Sequence, residues 1–224
     1  MKASLLPDKL TPLTSIEAMR ALREGYRRTM GKDPSSATLA VHMAQSALET
    51  GRWKKIHWND FGNEKAGPNY EGFYTQFRCN EVIDGQVKWF SPPHPQCNFR
   101  AYPTAIAGAA AHMLFLSTNG RYRLAWYAAE KGDPDEFVVA LKQAGYFTAA
   151  LEPYRKAVTS LFREFLSLIV DSGPQTQPAP PVLDETEHSP MSDDDMAERL
   201  PLVYLEPDWD AIRVARDAEV QGKS

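Results

Sequence analysis

Residues 105–116, AIAGAAAHMLFL, are apolar on nearly every side, and half of them are alanine or glycine. A helix of that composition has no face to offer water, so it belongs at the centre of a fold, closely approached on its small residues. The chain around it supplies helices to surround it. Thr14 and Glu17 have capping-box spacing, which predicts a helix through about Met30, ended by Gly31. Asp33 as an N-cap and Pro34 at the first helical position predict a second helix to about Thr50, with Gly51 as its stop. Downstream, Asn119-Gly120 breaks the central helix and RLAWYAAEKG follows. Asp133-Pro134 then opens DEFVVALKQ, which Gly145 closes. A last amphipathic helix starts at Pro153 and puts Val158, Leu161, Phe162, Phe165 and Ile169 on one side.

Residues 52–102 differ in kind, being rich in Gly, Pro, Asn and aromatics. Within them CNEVIDGQVKWF reads as a β-hairpin, with Asp84-Gly85 a two-residue turn between β-formers. Pro92, Pro93 and Pro95 end its second strand. The expected fold class is therefore mainly α (α+β), a helical domain with a small β-hairpin lobe.

After Asp171 the composition shifts. Residues 1–170 carry 21 basic and 16 acidic side chains, whereas residues 171–224 carry 4 and 13. The expected organisation is one domain over 1–171, a disordered acidic Pro-rich linker over 172–200, and a tail over 201–224. In that tail Trp209 and Ile212 suit a short docking helix. The mildly basic domain suits an anionic polymer, peptidoglycan or nucleic acid, or simply an ordinary solvated surface. Two cysteines, Cys79 and Cys97, are too few for a disulfide-dense scaffold; one bridge and two thiols both remain open. No run of about 18 apolar residues is present to span a membrane, and the N-terminus lacks the apolar stretch of a secretory signal.

The chemistry concentrates on the second predicted helix. Thr38, His42, Gln45 and Glu49 recur at spacings of four, three and four, forming one stripe opposite Leu39, Ala40, Met43, Ala44, Ala47 and Leu48. The stripe ends in a carboxylate at the last turn, where the helix dipole disfavours negative charge and helps raise its pKa. That suits a general acid; periodicity alone fits a solvated helix face better. The histidines at 42, 57, 94 and 112 lack metal-ligand spacing, so no metal and no cofactor is expected.

Four segments in register carry a resemblance. Ala44-Gln45, Leu48-Glu49-Thr50-Gly51, Trp53 and Asn59-Asp60-Phe61-Gly62 form the first. CNEVIDG, then Phe99, Arg100 and Tyr102, then AGYFTAALEPYRKAV follow in order. Over residues 15–170 the chain resembles the glucosaminidase family of cell-wall hydrolases, glycoside hydrolase family 73, which includes flagellar and autolysin-type enzymes. The resemblance implies a lysozyme-like fold. It implies endo-β-N-acetylglucosaminidase action on the β-1,4 GlcNAc–MurNAc bond of peptidoglycan, a muralytic and bacteriolytic activity, with Glu49 as catalytic acid. It makes Glu81, on the hairpin, the second catalytic carboxylate. It brings Tyr146, Gln45, Trp53, Asn59, Phe61 and Arg100 to the substrate side. The chain departs from the family pattern at Asp60, where a hydrophobic residue is usual.

A second carboxylate can activate water, or the substrate's own 2-acetamido group can attack, leaving Glu81 an accessory part. Glu71 is the rival to Glu81. Trp53, Trp58, Trp89, Tyr70, Phe73 and Tyr74 suit sugar stacking or core packing equally. The alternatives in function are a muramidase or lytic transglycosylase on the same fold, and a non-catalytic peptidoglycan-binding or assembly module. The expected partners are peptidoglycan glycan strands, not nucleic acid. A carrier assembly such as a phage tail, flagellar rod or secretion machine would engage the acidic tail. The expected site of action is the periplasm, cell wall or exterior, reached by a route other than general secretion.

Overall fold

The computed structural model describes residues 3–83 and 85–173. Asp84, the linker and the proposed docking segment, residues 174–224, lie outside the described residues. In order the elements are β1 (Ser4–Leu6), α1 (Ser15–Met30), α2 (Ser36–Glu49), β2 (Phe73–Gln76), β3 (Cys79–Ile83), β4 (Gln86–Phe90), β5 (Asn98–Ala101), α3 (Ala105–Thr118), α4 (Arg123–Glu130), α5 (Pro134–Gln143) and α6 (Leu151–Asp171). The fold is α+β, with helices dominating, as the sequence predicts. No helix among the described residues is long and apolar enough to cross a membrane.

α1 begins as expected. The Thr14 hydroxyl accepts from Glu17 N–H at 3.2 Å, and the Glu17 carboxylate accepts from Thr14 N–H at 2.8 Å. Gly31 closes the helix with φ of 72°. The start of α2 corrects the prediction. Ser35, not Asp33, is the N-cap, its hydroxyl accepting from Thr38 N–H at 3.0 Å. α6 also starts earlier than Pro153, at Leu151, with the proline inside its first turn. Proline is tolerated there because first-turn amides need no intrahelical acceptor.

The most enclosed helix is α2, with ten of its 14 residues buried. α3 buries Ala107, Gly108, Ala109, Ala110, His112, Met113 and Leu116 but leaves Ala105, Ile106, Ala111, Leu114 and Phe115 only partly covered, less enclosed than its composition predicts. α3 packs along α1, and the two come so close that a methyl added at Gly25 would lie 2.6 Å from the Ala110 nitrogen. α2 packs on α6, and α4 and α5 complete the helical body around Leu22, Met43, Met113, Phe137 and Phe165. β3 and β4 pair antiparallel from Cys79↔Phe90 to Ile83↔Gln86, which leaves a two-residue connection as predicted. The sequence reading did not anticipate the other sheet. In it β2 pairs parallel with β1 and antiparallel with β5.

The polar stripe of α2 faces inward. Thr38, His42 and Gln45 are all buried, so the solvated-face reading does not hold. His42 lies among the rings of Tyr26, Trp126 and Phe137, and neither of its nitrogens has a hydrogen-bond partner. Burial pushes its pKa down to about 3, with the nearby His112 adding to the effect. An unfolded chain takes up that proton near pH 6.5, so His42 costs stability progressively as pH falls from about 6.5 towards 3. His42→Leu is expected to stabilise the fold at neutral pH by roughly 1–3 kcal/mol, the penalty of an unpaired buried polar group. Its advantage over the parent should widen as pH falls below about 6.5. Urea titrations of both proteins at several pH values check this; an advantage that does not grow between pH 7 and 4.5 contradicts it.

Candidate active site

Glu49 is the last residue of α2, and its side chain is half-buried. Tyr154 of α6 donates its hydroxyl to Glu49 Oε1 at 2.7 Å. Asn63 donates its side-chain amide to the Glu49 carbonyl at 2.6 Å, satisfying one of the helix-end acceptors. Burial raises the Glu49 carboxyl to about pKa 7, against the opposing effect of the Tyr154 hydrogen bond. A carboxyl so placed is protonated over much of the neutral range and can give that proton away.

Beside it runs a directed chain of polar groups. The Gly62 carbonyl can only accept, and it takes the Tyr146 hydroxyl proton at 3.1 Å. Tyr146 in turn accepts from Gln45 Nε2 at 2.8 Å. The Gln45 carbonyl oxygen is therefore turned to His112 Nε2 at 2.9 Å, which must carry a proton. His112 Nδ1 then meets Glu64 Oε1 at 2.9 Å, and Arg100 Nη1 donates to Glu64 Oε2 at 2.8 Å.

Burial dominates the electrostatics of this cluster. It pushes His112 down to about 3, helped by the Arg100 charge, and Glu64 up to about 8, against that charge. Asp60 is likewise raised, by burial and then by the neighbouring Glu64. Both directions favour a shared proton between Glu64 and a neutral His112 over a fully charged pair.

Of the eight site residues read from the sequence, the structure gathers four around one region. Gln45 and Tyr146 bond each other, Arg100 binds Glu64 in the same chain, and Glu49 acts electrostatically on Tyr146. Asn59 is buried, its amide donating to the Tyr102 carbonyl at 2.8 Å, so it braces the end of β5. Trp53 and Phe61 are fully buried, which corrects their reading as sugar-facing aromatics. Trp53 donates to the Ser46 hydroxyl at 3.0 Å and packs on Phe165.

Glu81 stands apart on β3, ion-paired to Lys65 at 2.9 Å. Its rival Glu71 is exposed ahead of β2. Trp89 is exposed on β4 with Arg78 over its ring at 4.3 Å. Cys79 and Cys97 are both free thiols, with Cys79 Sγ donating to the Gln96 carbonyl at 3.2 Å. A groove between α5 and α6, lined by Asp135, Arg155, Lys156, Thr159, Ser160 and Arg163, shares no residue with this region.

Sequence reading missed Tyr154, Glu64, Asp60 and His112. The available signal was NDFGNEK, two acids flanking an apolar residue and a glycine. A methyl on Gly62 would lie 2.6 Å from His112 Nδ1, so only glycine admits the histidine here.

No family model matches the chain, and no curated protein does. Among solved structures it is similar to a peptidoglycan hydrolase mutant from Sphingomonas sp. A1. The identity is 24% over 67% of this chain and 99% of that one, with a TM-score of 0.48. It is also similar to the C-terminally truncated glycoside hydrolase domain of FlgJ from Salmonella typhimurium. There the identity is 20% over 68% of this chain and 95% of that one, with a TM-score of 0.45.

Proposed function

We propose that this chain is a peptidoglycan hydrolase with a lysozyme-like fold, an endo-β-N-acetylglucosaminidase whose general acid is Glu49. The observation that carries the reading is the Glu49 carboxyl itself. It sits at the end of a buried helix, partly buried, held by Tyr154 and raised to about 7, inside the segment whose motifs resemble the glucosaminidase family. In the proposed reaction Glu49 gives its proton to the oxygen leaving the anomeric carbon, and that C–O bond breaks. Water then adds its hydroxyl to the anomeric carbon and its proton restores a carboxylic acid. Glu81 activates that water, or the substrate's 2-acetamido group attacks first and Glu81 has an accessory part.

Tyr146 supports the reading as a substrate-side group whose hydroxyl keeps one lone pair after bonding Gly62 and Gln45. Lysis of purified sacculi in a zymogram by the full chain is the expected result. Binding to sacculi without lysis would replace this reading with the non-catalytic module.

Tyr154 gives the reading a pH signature. Its hydroxyl stabilises the ionised Glu49, so losing it raises the acid's pKa further. The catalytically competent form is the protonated one, present below that pKa. Tyr154→Phe is therefore expected to move the alkaline limb of kcat/KM upward by about one pH unit, as expected for a hydrogen bond to a charged group. A limb that stays put or moves down separates Tyr154 from the acid.

A further inference from the structure

Segment 60–65 touches both residues that bear the proposed carboxylates, Glu49 at its main-chain carbonyl and Glu81 at its side chain. Asn63 donates to the Glu49 carbonyl at 2.6 Å, and two positions on, Lys65 pairs with Glu81 at 2.9 Å. Lys65 also donates to the Gln96 carbonyl at 2.7 Å and lies over the Phe99 ring at 3.9 Å, so its own course is set. The residue between them is the most firmly held of the three. All four polar atoms of Glu64 are bonded. Its N–H donates to Asp60 Oδ2 at 2.8 Å, and its carbonyl accepts from Arg100 N–H at 2.9 Å. Its carboxyl oxygens meet His112 Nδ1 at 2.9 Å and Arg100 Nη1 at 2.8 Å, with the side chain 2% exposed.

An acid this deeply buried in a short irregular segment is costly unless fully partnered. The partners of the carboxyl, His112 and Arg100, come from α3 and β5, outside the segment. They fix its middle to the helical body on one side and to the sheet on the other. We propose that Glu64 is a positioning residue, pinning segment 60–65 so that Asn63 and Lys65 hold Glu49 and the hairpin carboxylate Glu81 in a fixed relation. This inference rests on the reading of those two carboxylates as the reacting pair. It assigns to a buried glutamate the task of joining the helical half of the site to the hairpin half.

The test uses the full chain and its Glu64→Gln and Lys65→Met variants. The readouts are kcat and KM on soluble glycan strands, thermal unfolding, and hydrogen–deuterium exchange over 60–66 and 79–90. Glu64→Gln keeps the shape but puts a neutral amide, unable to share a proton with His112 or to ionise beside Arg100, where the carboxyl stood. It is expected to lower kcat at least about tenfold with KM within about twofold, because misplacing a reacting group by an ångström costs up to ~10² in rate. Exchange should quicken in both segments.

Lys65→Met changes a half-exposed side chain and should lower kcat while quickening exchange only over 79–90. A Glu64→Gln protein with a lower melting temperature but parental kcat and parental hairpin exchange overturns the inference. If Glu64→Gln fails to fold, parental kcat and exchange in Lys65→Met overturn it instead. A parent inactive on sacculi, with exchange loosened in both segments by Glu64→Gln, sinks the proposed function and leaves the pin standing. An active parent matched by its variants sinks the pin alone.

Discussion

Glu49→Gln is expected to cut turnover by roughly 10²–10⁴-fold with the fold intact, the usual loss on removing a positioned general acid. The amide is isosteric and its oxygen still accepts the Tyr154 hydroxyl proton, so orientation is kept while the transferable proton is lost. The substitution should not destabilise the protein, and the sign of its pH dependence follows from the raised pKa. In the parent, the Glu49 contribution to stability is full below about pH 4.5 and is lost as pH rises through about 7. Above pH 7 the parent buries part of a negative charge and the variant does not. The variant should therefore gain relative to the parent between pH 4.5 and 8. Turnover near that of the parent, from a variant with a folded circular dichroism spectrum, removes Glu49 from the mechanism.

The largest effect on stability is expected from Gly108→Ala. In most helices alanine gains about 1 kcal/mol over glycine. Here the added methyl would fall far inside van der Waals contact with the Asn59 carbonyl oxygen, a backbone atom. That carbonyl cannot retreat easily. Asn59 holds a left-handed conformation at φ 57°, its N–H is bonded by the Thr11 hydroxyl at 2.8 Å, and its side chain is tied to Tyr102. Overpacking costs about 1–3 kcal/mol where side chains can yield and more against fixed backbone, so the clash outweighs the helix gain. Gly108→Ala should lose about 3 kcal/mol or fail to fold. Because Asn59 leads directly into the 60–65 segment, a folded variant should also lose turnover. Urea denaturation that finds the variant more stable than the parent refutes the close approach.

The helices were legible because their signals are local. The Thr14–Glu17 box, Asp133-Pro134 and the all-apolar run of α3 each act within one or two turns. Ser35 outranked Asp33 as N-cap because its hydroxyl, two residues on, meets the Thr38 amide. The three-stranded sheet was illegible for the opposite reason. β1 has three residues, and β2 and β5 are separated by the whole β3–β4 hairpin.

The same distinction divides the site. Glu49, the proposed acid, is legible from one helix and the motif around it. The Glu64 cluster joins residues 48 and 36 positions apart, through His112 and Arg100, with no periodic signal. Trp53 and Phe61 misled because the resemblance that brought them to the substrate side rests on motif order, which does not say which way a ring points. Residues 52–62 instead turn inward through left-handed conformations at Arg52, Trp53, Trp58 and Asn59, which carry those rings into the core.

The most direct test of the central claim is mass spectrometry of the fragments that the full chain releases from purified sacculi, after borohydride reduction. The account predicts fragments ending in reduced GlcNAc, absent when Glu49→Gln is used. Fragments ending in reduced MurNAc or in anhydro-MurNAc would contradict it, placing the cut at the other glycosidic bond.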